Sequence, residues 1–297
     1  MNATPPLALI VNPHSAGGRA LKTLRRVEQV LDVRRTEFRV ERTRSLEHGV
    51  EQALLAVEAG EVPVAMSGDG LLGAIGGAMA GTDTPLGLVP CGRGNDLARV
   101  LEIPTDPVAA IDLVLRGHSR RIDVGEVNGR RFLGVASIGF DSEATRVANE
   151  THFLRGSAVY AYAAIRTLIG WKPARFTLQI GNDRHRLSGY SVSVANSRAY
   201  GGGMFIAPDA ELDDGRFDVV CVGEVGKLRF AGNLPRVFKG THVEKDEVQV
   251  FRAARLELSA SRPFPVYADG EALGELPATL RVLPRALSVL VPPPAES

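Results

Sequence analysis

The stretch Val62-Pro63-Val64-Ala65-Met66-Ser67-Gly68-Asp69-Gly70 leads from an apolar run into a glycine-rich turn. Small and apolar residues continue from the turn as far as Ala80. A short apolar run that ends in glycine is typical of a buried strand, and the longer segment after it has the length of a helix. This stretch therefore predicts a strand joined to a helix by a tight turn, which is the repeating unit of an α/β fold.

The same unit recurs on both sides of this stretch. Predicted strands lie at 7–11, 37–40, 62–66 and 86–90. Predicted helices lie at 18–32, at 45–59 with Ser45 as the N-cap, from the glycine-rich turn to 80, at 94–101 and at 107–116. Because strands that alternate with helices are joined by right-handed crossovers, we expect a parallel, doubly wound sheet.

The pattern changes near Arg121, where strand-like runs begin to follow one another directly. They lie at 121–127, 131–138, 175–182, 185–195, 216–223, 247–259, 264–268 and 279–291. One predicted helical insert covers about 141–171. We therefore expect an α/β domain at 1–121, a mostly antiparallel β-sandwich at 122–285, a tail at about 286–297 that packs back on the first domain, and a cleft shared by the two domains.

Composition narrows the class of protein. The chain has 297 residues, 44% of them apolar and 23% charged, which indicates about two globular domains and excludes a disordered chain. The 35 basic residues nearly balance 34 acidic ones, so a nucleic-acid partner is not expected. Neither a signal peptide nor a membrane-spanning run is found, and Cys91 and Cys221 are expected to be buried free thiols. These features predict a cytoplasmic protein.

Three glycine-rich turns follow predicted parallel strands, at 12–19, 67–70 and 92–96. Ligands of open α/β sheets bind at the carboxyl ends of the strands. Glycine lets backbone N–H groups approach a phosphate, and the next helix N-terminus favours an anion. The alternative is that each glycine only makes a tight turn, but three such turns on one edge favour a nucleotide-phosphate site.

Aspartates in these turns point to a metal ion. Asp69 beside a polyphosphate would be repelled unless a cation lay between them, and Mg²⁺ bound by one or two carboxylates, water and phosphates fits that role. Asp96 and Asp123 are candidates for its outer shell. The alternatives are that Asp96 is an N-cap and that Asp123 forms an Asx turn at a strand end.

Several blocks of sequence together resemble the diacylglycerol kinase catalytic family, which includes bacterial soluble lipid kinases, sphingosine kinases and ceramide kinases. The blocks are Ile10-Val11-Asn12-Pro13, Ser67-Gly68-Asp69-Gly70, 90–99, Asp123-Val124-Gly125, 137–141, Asn196, 207–220 and Asp269-Gly270-Glu271. They span nearly the whole chain. The resemblance implies ATP-dependent transfer of the γ-phosphoryl group to a hydroxyl of a lipid, most simply a diacylglycerol-like one, with ATP on the α/β domain and the lipid on the β-sandwich.

The resemblance also assigns residues. It places ATP against Asn12, Ser15, Gly17, Thr43, Ser67, Gly68, Asp69, Gly70, Leu71, Leu72, Gly73 and Arg93. Asp69, Asp96 and Asp123 match the aspartates that organise the catalytic Mg²⁺ through water. Asp269 and Glu271 match the acidic pair that supplies the general base. Asp214, with the backbone carbonyls of Glu211 and Arg216, matches a second, structural Mg²⁺ site. The alternative for both acidic segments is an ordinary turn.

The chain departs from the family pattern at several positions of the turns. Leu71 replaces a threonine, Ala74 replaces an acidic residue, and Arg93 replaces another threonine. The Arg93 side chain could reach a phosphate or point to solvent. Leu71 and Ala74 leave open a degenerate regulator that binds nucleotide or lipid without turnover. An NAD kinase-like enzyme is a second alternative, because NAD kinases share the glycine-aspartate-glycine turn and a similar two-domain plan, but the 92–96 turn and the Asp214 loop argue against it.

The apolar residues of the helical insert are too many for a solvent-facing helix. Burial against the sandwich is one interpretation. The other is a peripheral contact with the inner face of the membrane, in which Arg155, Arg166 and Lys172 meet anionic headgroups. A homodimer is a further expectation for the assembly.

Overall fold

The chain forms two compact units in a computed structural model that describes residues 5–151 and 157–293. The first unit consists of two chain segments, one that ends at Val124 and one that begins at Leu283. The second unit is Gly125–Val282. The sequence had placed these divisions at 121/122 and 285/286. Phe153, Leu154 and Arg155, and the last four residues of the predicted tail, lie outside the described residues.

The first unit is an α/β layer around a four-stranded parallel sheet of order β2-β1-β3-β4. Its elements are β1 (Leu7–Val11), α1 (Arg19–Arg34), β2 (Phe38–Arg42), α2 (Leu46–Glu58), β3 (Val62–Ser67), α3 (Asp69–Met79), β4 (Gly87–Pro90), α4 (Asp96–Val100) and α5 (Pro107–Arg116). The α/β fold predicted for this half of the chain is confirmed.

Local sequence accounts for these elements. Every residue of β1 is buried, as expected for a strand covered on both faces. Helix α1 buries Ala20, Leu24, Val27 and Leu31, which lie on one face at helical spacing. Ser45 is the N-cap of α2, and its side chain accepts a hydrogen bond from the backbone N–H of His48 at 3.1 Å, as predicted.

The second unit is built on an antiparallel sheet, which confirms the fold class predicted for this half. Its strands are β5 (Ser119–Val127), β6 (Arg130–Phe132), β7 (Val135–Gly139), β8 (Ala174–Ile180), β9 (Asp183–Ala195), β10 (Phe217–Gly223), β11 (Val248–Ala253), β12 (Arg255–Ala260), β13 (Pro265–Ala268), β14 (Glu271–Glu275) and β15 (Ala278–Leu290). The order is β14-β13-β7-β9-β8-β12-β15-β5-β6, with β10 and β11 added beside β9. Strands β5 and β15 begin in one unit and end in the other.

Among the described residues, the second unit also contains the α-helices α6 (Phe140–Glu150), α7 (Ser157–Gly170) and α8 (Lys227–Val237), and a short 3-10 helix at Thr241–Glu244. Phe140, Trp171, Tyr190 and Phe230 form a buried aromatic cluster, in which the rings of Tyr190 and Phe230 stack with their centroids 4.0 Å apart. No helix in the two described segments is long and apolar enough to cross a membrane. Cys91 and Cys221 are buried free thiols, as predicted, and burial raises their pKa values to about 11 and about 12.

The second unit also corrects several predicted boundaries. The single insert is two helices, because α6 ends at Glu150 and Thr151 is extended. The run 247–259 is two strands, because the chain changes partner at Ala254: β11 pairs with β10, and β12 with β15 and β8. The run 131–138 is likewise divided between β6 and β7.

Helix α8 was not predicted, because Gly232 and Pro235 interrupt its helical pattern. Strand β14 was also missed, since Leu273 is its one buried residue.

Candidate active site

The first glycine-rich turn, which follows β1, is fixed by its own side chains and backbone. The Asn12 side-chain oxygen accepts a hydrogen bond from the backbone N–H of His14 at 3.0 Å, and the Asn12 carbonyl accepts from the N–H of Ser15 at 3.1 Å. Gly17 and Gly18 have φ angles of 70° and 89°, which glycine adopts without strain. Hydrogen bonds within the turn therefore stabilise the conformation of the segment that holds the predicted ATP residues Asn12, Ser15 and Gly17.

The second and third turns touch each other through glycine. A Cβ atom on Gly92 would lie 2.5 Å from the Cα of Gly68, and a Cβ on Gly68 would lie 3.0 Å from the Cα of Gly92. The backbone N–H of Cys91 donates to the Ser67 carbonyl at 2.9 Å. Asn95 closes the third turn, since its side-chain oxygen accepts from the Gly92 N–H at 2.8 Å. Any side chain at 68 or 92 would push the two turns apart.

This contact between turns brings two of the predicted aspartates together. Asp69 Oδ1 accepts a hydrogen bond from the backbone N–H of Asp96 at 2.7 Å. Burial, followed by the negative charge of Asp96, raises the pKa of Asp69, while N–H donors of Asn95, Asp96 and Leu97 oppose that rise. The N-terminus of α4 therefore binds the Asp69 carboxylate. The N-cap alternative for Asp96 is wrong, because Asn95 takes the cap position and Asp96 is the first residue of the helix.

Asp123 has a different environment. It is fully buried inside β5, and its Oδ1 accepts the backbone N–H of Arg285 at 2.6 Å. Arg285 has a φ of 49°, a left-handed conformation that this hydrogen bond helps to hold. The Asx-turn alternative for Asp123 is wrong, since it required a strand end and Asp123 lies in the middle of β5.

Several predicted ATP residues lie in the interior of the first unit. Leu71, Leu72 and Gly73 are buried in α3. The Leu71 side chain packs on α2, because a Cβ on Gly49 would lie 2.5 Å from Leu71 Cδ1 and 3.2 Å from Thr43 Cγ2. Thr43 is also buried. The leucine at 71 thus fills the space between α2 and α3.

The two arginines of the turns differ in surroundings. Arg93 is exposed. The positive charge of Arg19, at the start of α1, opposes the rise in the pKa of the Cys91 thiol that burial causes.

In the second unit, Asp269 lies in the hairpin between β13 and β14. Asp269 and Gly270 have φ angles of 52° and 87°, and Ala268 pairs with Glu271 across them, so the hairpin-turn alternative is confirmed. Both carboxylate oxygens accept backbone hydrogen bonds, Oδ2 from Leu133 at 2.7 Å and Oδ1 from Gly134 at 2.9 Å. Glu271 is exposed at the start of β14.

The loop that holds Asp269 depends on two residues outside the predicted site. A Cβ on Gly134 would lie 2.5 Å from Asp269 Oδ1, so only glycine allows this approach. Asn196 is fully buried; its side-chain amide donates to the Leu133 carbonyl at 2.9 Å, and its backbone N–H donates to the Gly134 carbonyl at 3.0 Å. The signal in the sequence was, for Gly134, an isolated glycine inside the predicted strand-like run 131–138 and, for Asn196, a polar residue directly after the run 185–195.

The predicted second metal site is occupied by an arginine. Asp214 Oδ1 accepts the backbone N–H of Arg216 at 2.9 Å, which is the turn alternative, and Oδ2 accepts from the Arg252 guanidinium at 2.6 Å. Arg252 also lies 3.3 Å from Asp218 Oδ1. Burial raises the pKa of Asp218, and the charge of Arg252 opposes that rise. Glu211 is exposed on the same loop.

Comparison with known proteins decides the family. Residues 6–127 match the profile of the diacylglycerol kinase catalytic domain, and residues 134–291 match that of the YegS C-terminal NAD kinase beta sandwich-like domain. A diacylglycerol kinase of Mycobacterium tuberculosis is 34% identical over 292 residues, which cover 95% of this chain and 94% of the relative. The chain belongs to the diacylglycerol kinase catalytic family. The resemblance seen in the sequence is confirmed, and the chain is a kinase.

Other members of the diacylglycerol kinase family agree in sequence or in fold. A diacylglycerol kinase of Bacillus subtilis is 29% identical, with 82% of each chain covered. The crystal structure of a putative diacylglycerol kinase from Bacillus anthracis str. Sterne has a TM-score of 0.81, with 99% of each chain covered and 19% identity. At that identity the likeness shows the fold alone.

The residues of this diacylglycerol kinase family member fit a divalent cation at one predicted site and disagree with it at the other. Asp69 and Asp96 are adjacent, partly buried acids of like charge, and such oxygen donors suit Mg²⁺ completed by water and phosphate. At Asp214 the guanidinium of Arg252 already supplies the positive charge. Among the described residues, no cluster of three or more His, Cys, Asp or Glu side chains is arranged to hold a metal ion alone.

Proposed function

We propose that the chain transfers the γ-phosphoryl group of ATP, bound with Mg²⁺, to a hydroxyl of a diacylglycerol-like lipid. The observation that carries the proposal is the Asp69–Asp96 pair. The Asp69 carboxylate accepts the backbone N–H of Asp96 at 2.7 Å, and burial together with the charge of Asp96 raises the pKa of Asp69, so a cation would stabilise this site. Mg²⁺ at this site would neutralise charge on the transferring phosphoryl group.

The three turns supply the rest of the nucleotide site in this proposal. The Gly68–Gly92 contact holds the second and third turns at a fixed separation. The first N–H groups of α3 follow directly from Gly68 and lie at a helix N-terminus, where a phosphate is favoured. Asn12, Ser15 and Gly17 form the preorganised first turn. Arg93, exposed at the third turn, is assigned to a phosphate oxygen.

Asp269 is assigned as the base that takes the proton of the lipid hydroxyl. The N–H groups of Leu133 and Gly134 fix both of its oxygens, so its orientation is set by the fold. A positioned carboxylate can accept a proton as the oxygen–phosphorus bond forms. Glu271 lies two residues further on and is the second candidate for the same role. Asp123 is assigned to positioning, because it is fully buried and bound to Arg285.

The test is phosphoryl transfer from γ-labelled ATP with Mg²⁺ by the purified full chain. Diacylglycerol, a sphingoid base and ceramide are offered in mixed micelles, and NAD is offered in solution. We expect labelled phospholipid from diacylglycerol, lost in Asp69→Asn and retained in the matched exposed control Asp32→Asn. NADP formation, or ATP binding without turnover that Asp69→Asn leaves unchanged, would contradict the proposal.

A further inference from the structure

Strand β2 is an open edge of the sheet in the first unit. It pairs in parallel with β1 on one side, and within the described residues no strand pairs with its other side. The opposite edge, at β4, is covered, because the backbone of Leu86 donates to Ser288 and accepts from Leu290, both at 2.9 Å. An uncovered edge presents a row of N–H and C=O groups to which another strand can pair.

The hydrogen bonds of β2 show which of its residues point outward. The N–H of Thr43 donates to the Val11 carbonyl, and the carbonyl of Glu37 accepts from the first residue of β1, both at 2.9 Å. Because alternate residues of a parallel strand bond to the same neighbour, the odd-numbered residues of this segment face β1. The even-numbered residues direct their N–H and C=O groups away from β1. They are Phe38, Val40 and Arg42.

Opposite charges stand on either side of the middle residue of β2. The strand reads Phe38-Arg39-Val40-Glu41-Arg42, so Arg39 and Glu41 lie at equal distances from Val40. Their side chains share one face of the strand, since the Arg39 guanidinium donates to Glu41 at 3.1 Å, and they are 32% and 36% exposed. Charge protects an edge from pairing where like charges would meet, and this arrangement avoids that in one register.

Two copies of β2 fit each other in that antiparallel register. When Val40 lies opposite Val40 of a second copy, outward groups meet outward groups and about six backbone hydrogen bonds form. Each Arg39 then lies opposite a Glu41. Moving the two-fold axis to Arg39 or to Glu41 also matches the backbone groups, but it places like charges directly opposite each other, which is destabilising.

Space for a second strand lies beside β2. A groove of about 530 Å³ borders it, between α1 and the start of α2. The groove is lined by Glu28, Val40, Glu41, Arg42, Arg44 and His48. A strand that enters this groove therefore meets both the outward backbone groups of β2 and the side chains that select the register.

We propose that two copies of this chain form a homodimer through β2, paired antiparallel about Val40, so that one sheet continues through both first units. The two-fold axis makes the contact self-complementary, as a closed dimer requires. Since the contact is short and rich in charge, the dimer is reversible. The inference gives the homodimer expected from the sequence a defined surface. It does not depend on the substrate of the kinase, because it rests on the sheet edge alone.

The test is sedimentation velocity of the full chain at concentrations up to about 100 µM, where weak specific complexes are populated. We expect a monomer–dimer equilibrium. Arg39→Glu and Glu41→Arg each place like charges opposite each other twice, and each should raise the Kd of the dimer by about tenfold or more. An equimolar mixture of these two variants should form a heterodimer with nearly the original Kd, because every arginine again lies opposite a glutamate.

Matched controls reverse the same residue types at the same spacing in β12. Arg255 and Glu257 are exposed and lie 3.9 Å apart, but β12 has neighbouring strands on both sides, β15 and β8. Arg255→Glu and Glu257→Arg should leave the Kd of the dimer unchanged. Val40→Pro should abolish the dimer, because it removes an outward N–H while the bonds of β2 to β1 remain.

Hydrogen exchange of the unchanged protein gives a readout that needs no variant. The backbone amides of Phe38, Val40 and Arg42 should gain protection as the protein concentration rises, and equal protection at low and high concentration would overturn the proposal. A chain that stays monomeric at every concentration would overturn it too and would leave the edge to another occupant, such as an extended peptide of a different protein. So would a dimer that survives Val40→Pro, or a mixture of the two charge variants that sediments as monomers.

Discussion

The Asp69 carboxylate caps the helix that begins at Asp96, with Oδ1 of the first residue 2.7 Å from the backbone nitrogen of the second. A helix N-terminus favours an anion, and here the anion belongs to the protein. The same contact holds two negative side chains near each other in a partly buried place. The hydrogen bond to the helix N-terminus therefore stabilises the Asp69 carboxylate, whereas the charge of Asp96 repels it. A divalent cation would reduce that repulsion and leave the hydrogen bond in place.

Replacing Asp69 by Asn should separate these effects. The amide oxygen can still accept the Asp96 N–H, but the charge proposed to organise Mg²⁺ is lost, so we expect turnover to fall by about 10²- to 10³-fold. Because burial raises the pKa of Asp69, the free energy of unfolding of the metal-free protein should fall as pH rises above the ordinary range of aspartate. Asp69→Asn should weaken that fall. Initial rates measure the loss of turnover, and thermal melts at several pH values measure the change in stability. A lower melting temperature of Asp69→Asn than of the unchanged protein at neutral pH would contradict the destabilising effect assigned to the Asp69 charge.

Leu71 tests the significance of a departure from the family pattern. Its side chain is 3% exposed and packs toward Gly49. Leu71→Thr should therefore cost about 3 kcal/mol in urea unfolding, since it loses apolar contacts and buries a hydroxyl. The Leu71→Thr variant should not bind ATP with a lower Kd than the unchanged protein. The control Leu55→Thr, at a half-exposed position on α2, should cost far less. Tighter ATP binding by Leu71→Thr with unchanged stability would place the side chain at the nucleotide instead.

Gly134 should be intolerant of any side chain. A Cβ there would lie 2.5 Å from Asp269 Oδ1 and displace a carboxylate that two N–H groups hold. We expect Gly134→Ala to lower the free energy of unfolding by about 2 kcal/mol. As single variants, Gly134→Ala and Asp269→Asn should both lower turnover. Gly232→Ala on α8, where a Cβ meets open space, should be neutral or stabilising. Equal melting temperatures for the two alanine variants would show that the close approach does not exist in solution.

These contacts show what the sequence could predict and what it could not. The first unit was predictable because three of its four strands run into glycine-rich turns, and Ser45 marks the start of the helix that follows the remaining strand. The pairing of Asp123 with Arg285, 162 residues apart, and of Asp269 with Gly134, 135 residues apart, has no local pattern. Such contacts depend on how the strands pair in the sheet. The change of pairing strand at Ala254, which helps to build the sheet, also leaves no pattern in the sequence of a single strand.

Arg252 should make the Asp214 loop independent of a divalent cation. Its guanidinium binds Asp214 and Asp218, whose pKa is raised by burial. Arg252→Met should lower stability by about 1–3 kcal/mol, because it leaves these acids without their cation. Millimolar Mg²⁺ should restore part of the loss.

The measurement is the melting temperature with Mg²⁺ or with chelator, at constant ionic strength and in the Asp69→Asn background, which removes the other cation site. The chain with Arg252 intact should show no difference between the two conditions. If the melting temperature instead depended on Mg²⁺ only in the protein that retains Arg252, the view that its guanidinium takes the place of a metal ion at Asp214 would be refuted.

Asp141, in the first turn of α6, should govern the pH dependence of stability. Burial raises its pKa to about 6, although Ser193, whose hydroxyl donates to Oδ2 at 3.3 Å, and Ser191 oppose the rise. The folded protein therefore holds this proton more tightly than the unfolded chain does. Its free energy of unfolding should fall as pH rises from about 4 to about 6, by up to about 3 kcal/mol, and then level off.

Asp141→Asn should remove the part of this fall that Asp141 contributes and be more stable than the unchanged protein at pH 8, with a smaller difference near pH 4.5. Ser193→Ala should act in the opposite sense, because it removes a donor that stabilises the carboxylate, and it should destabilise the protein more at pH 8 than at pH 4.5. Urea unfolding across this pH range measures all three proteins. Parallel curves for the three would mean that the Asp141 carboxyl is solvated in the folded state, and the pH dependence would then come from other acids of raised pKa, Asp69 and Asp218.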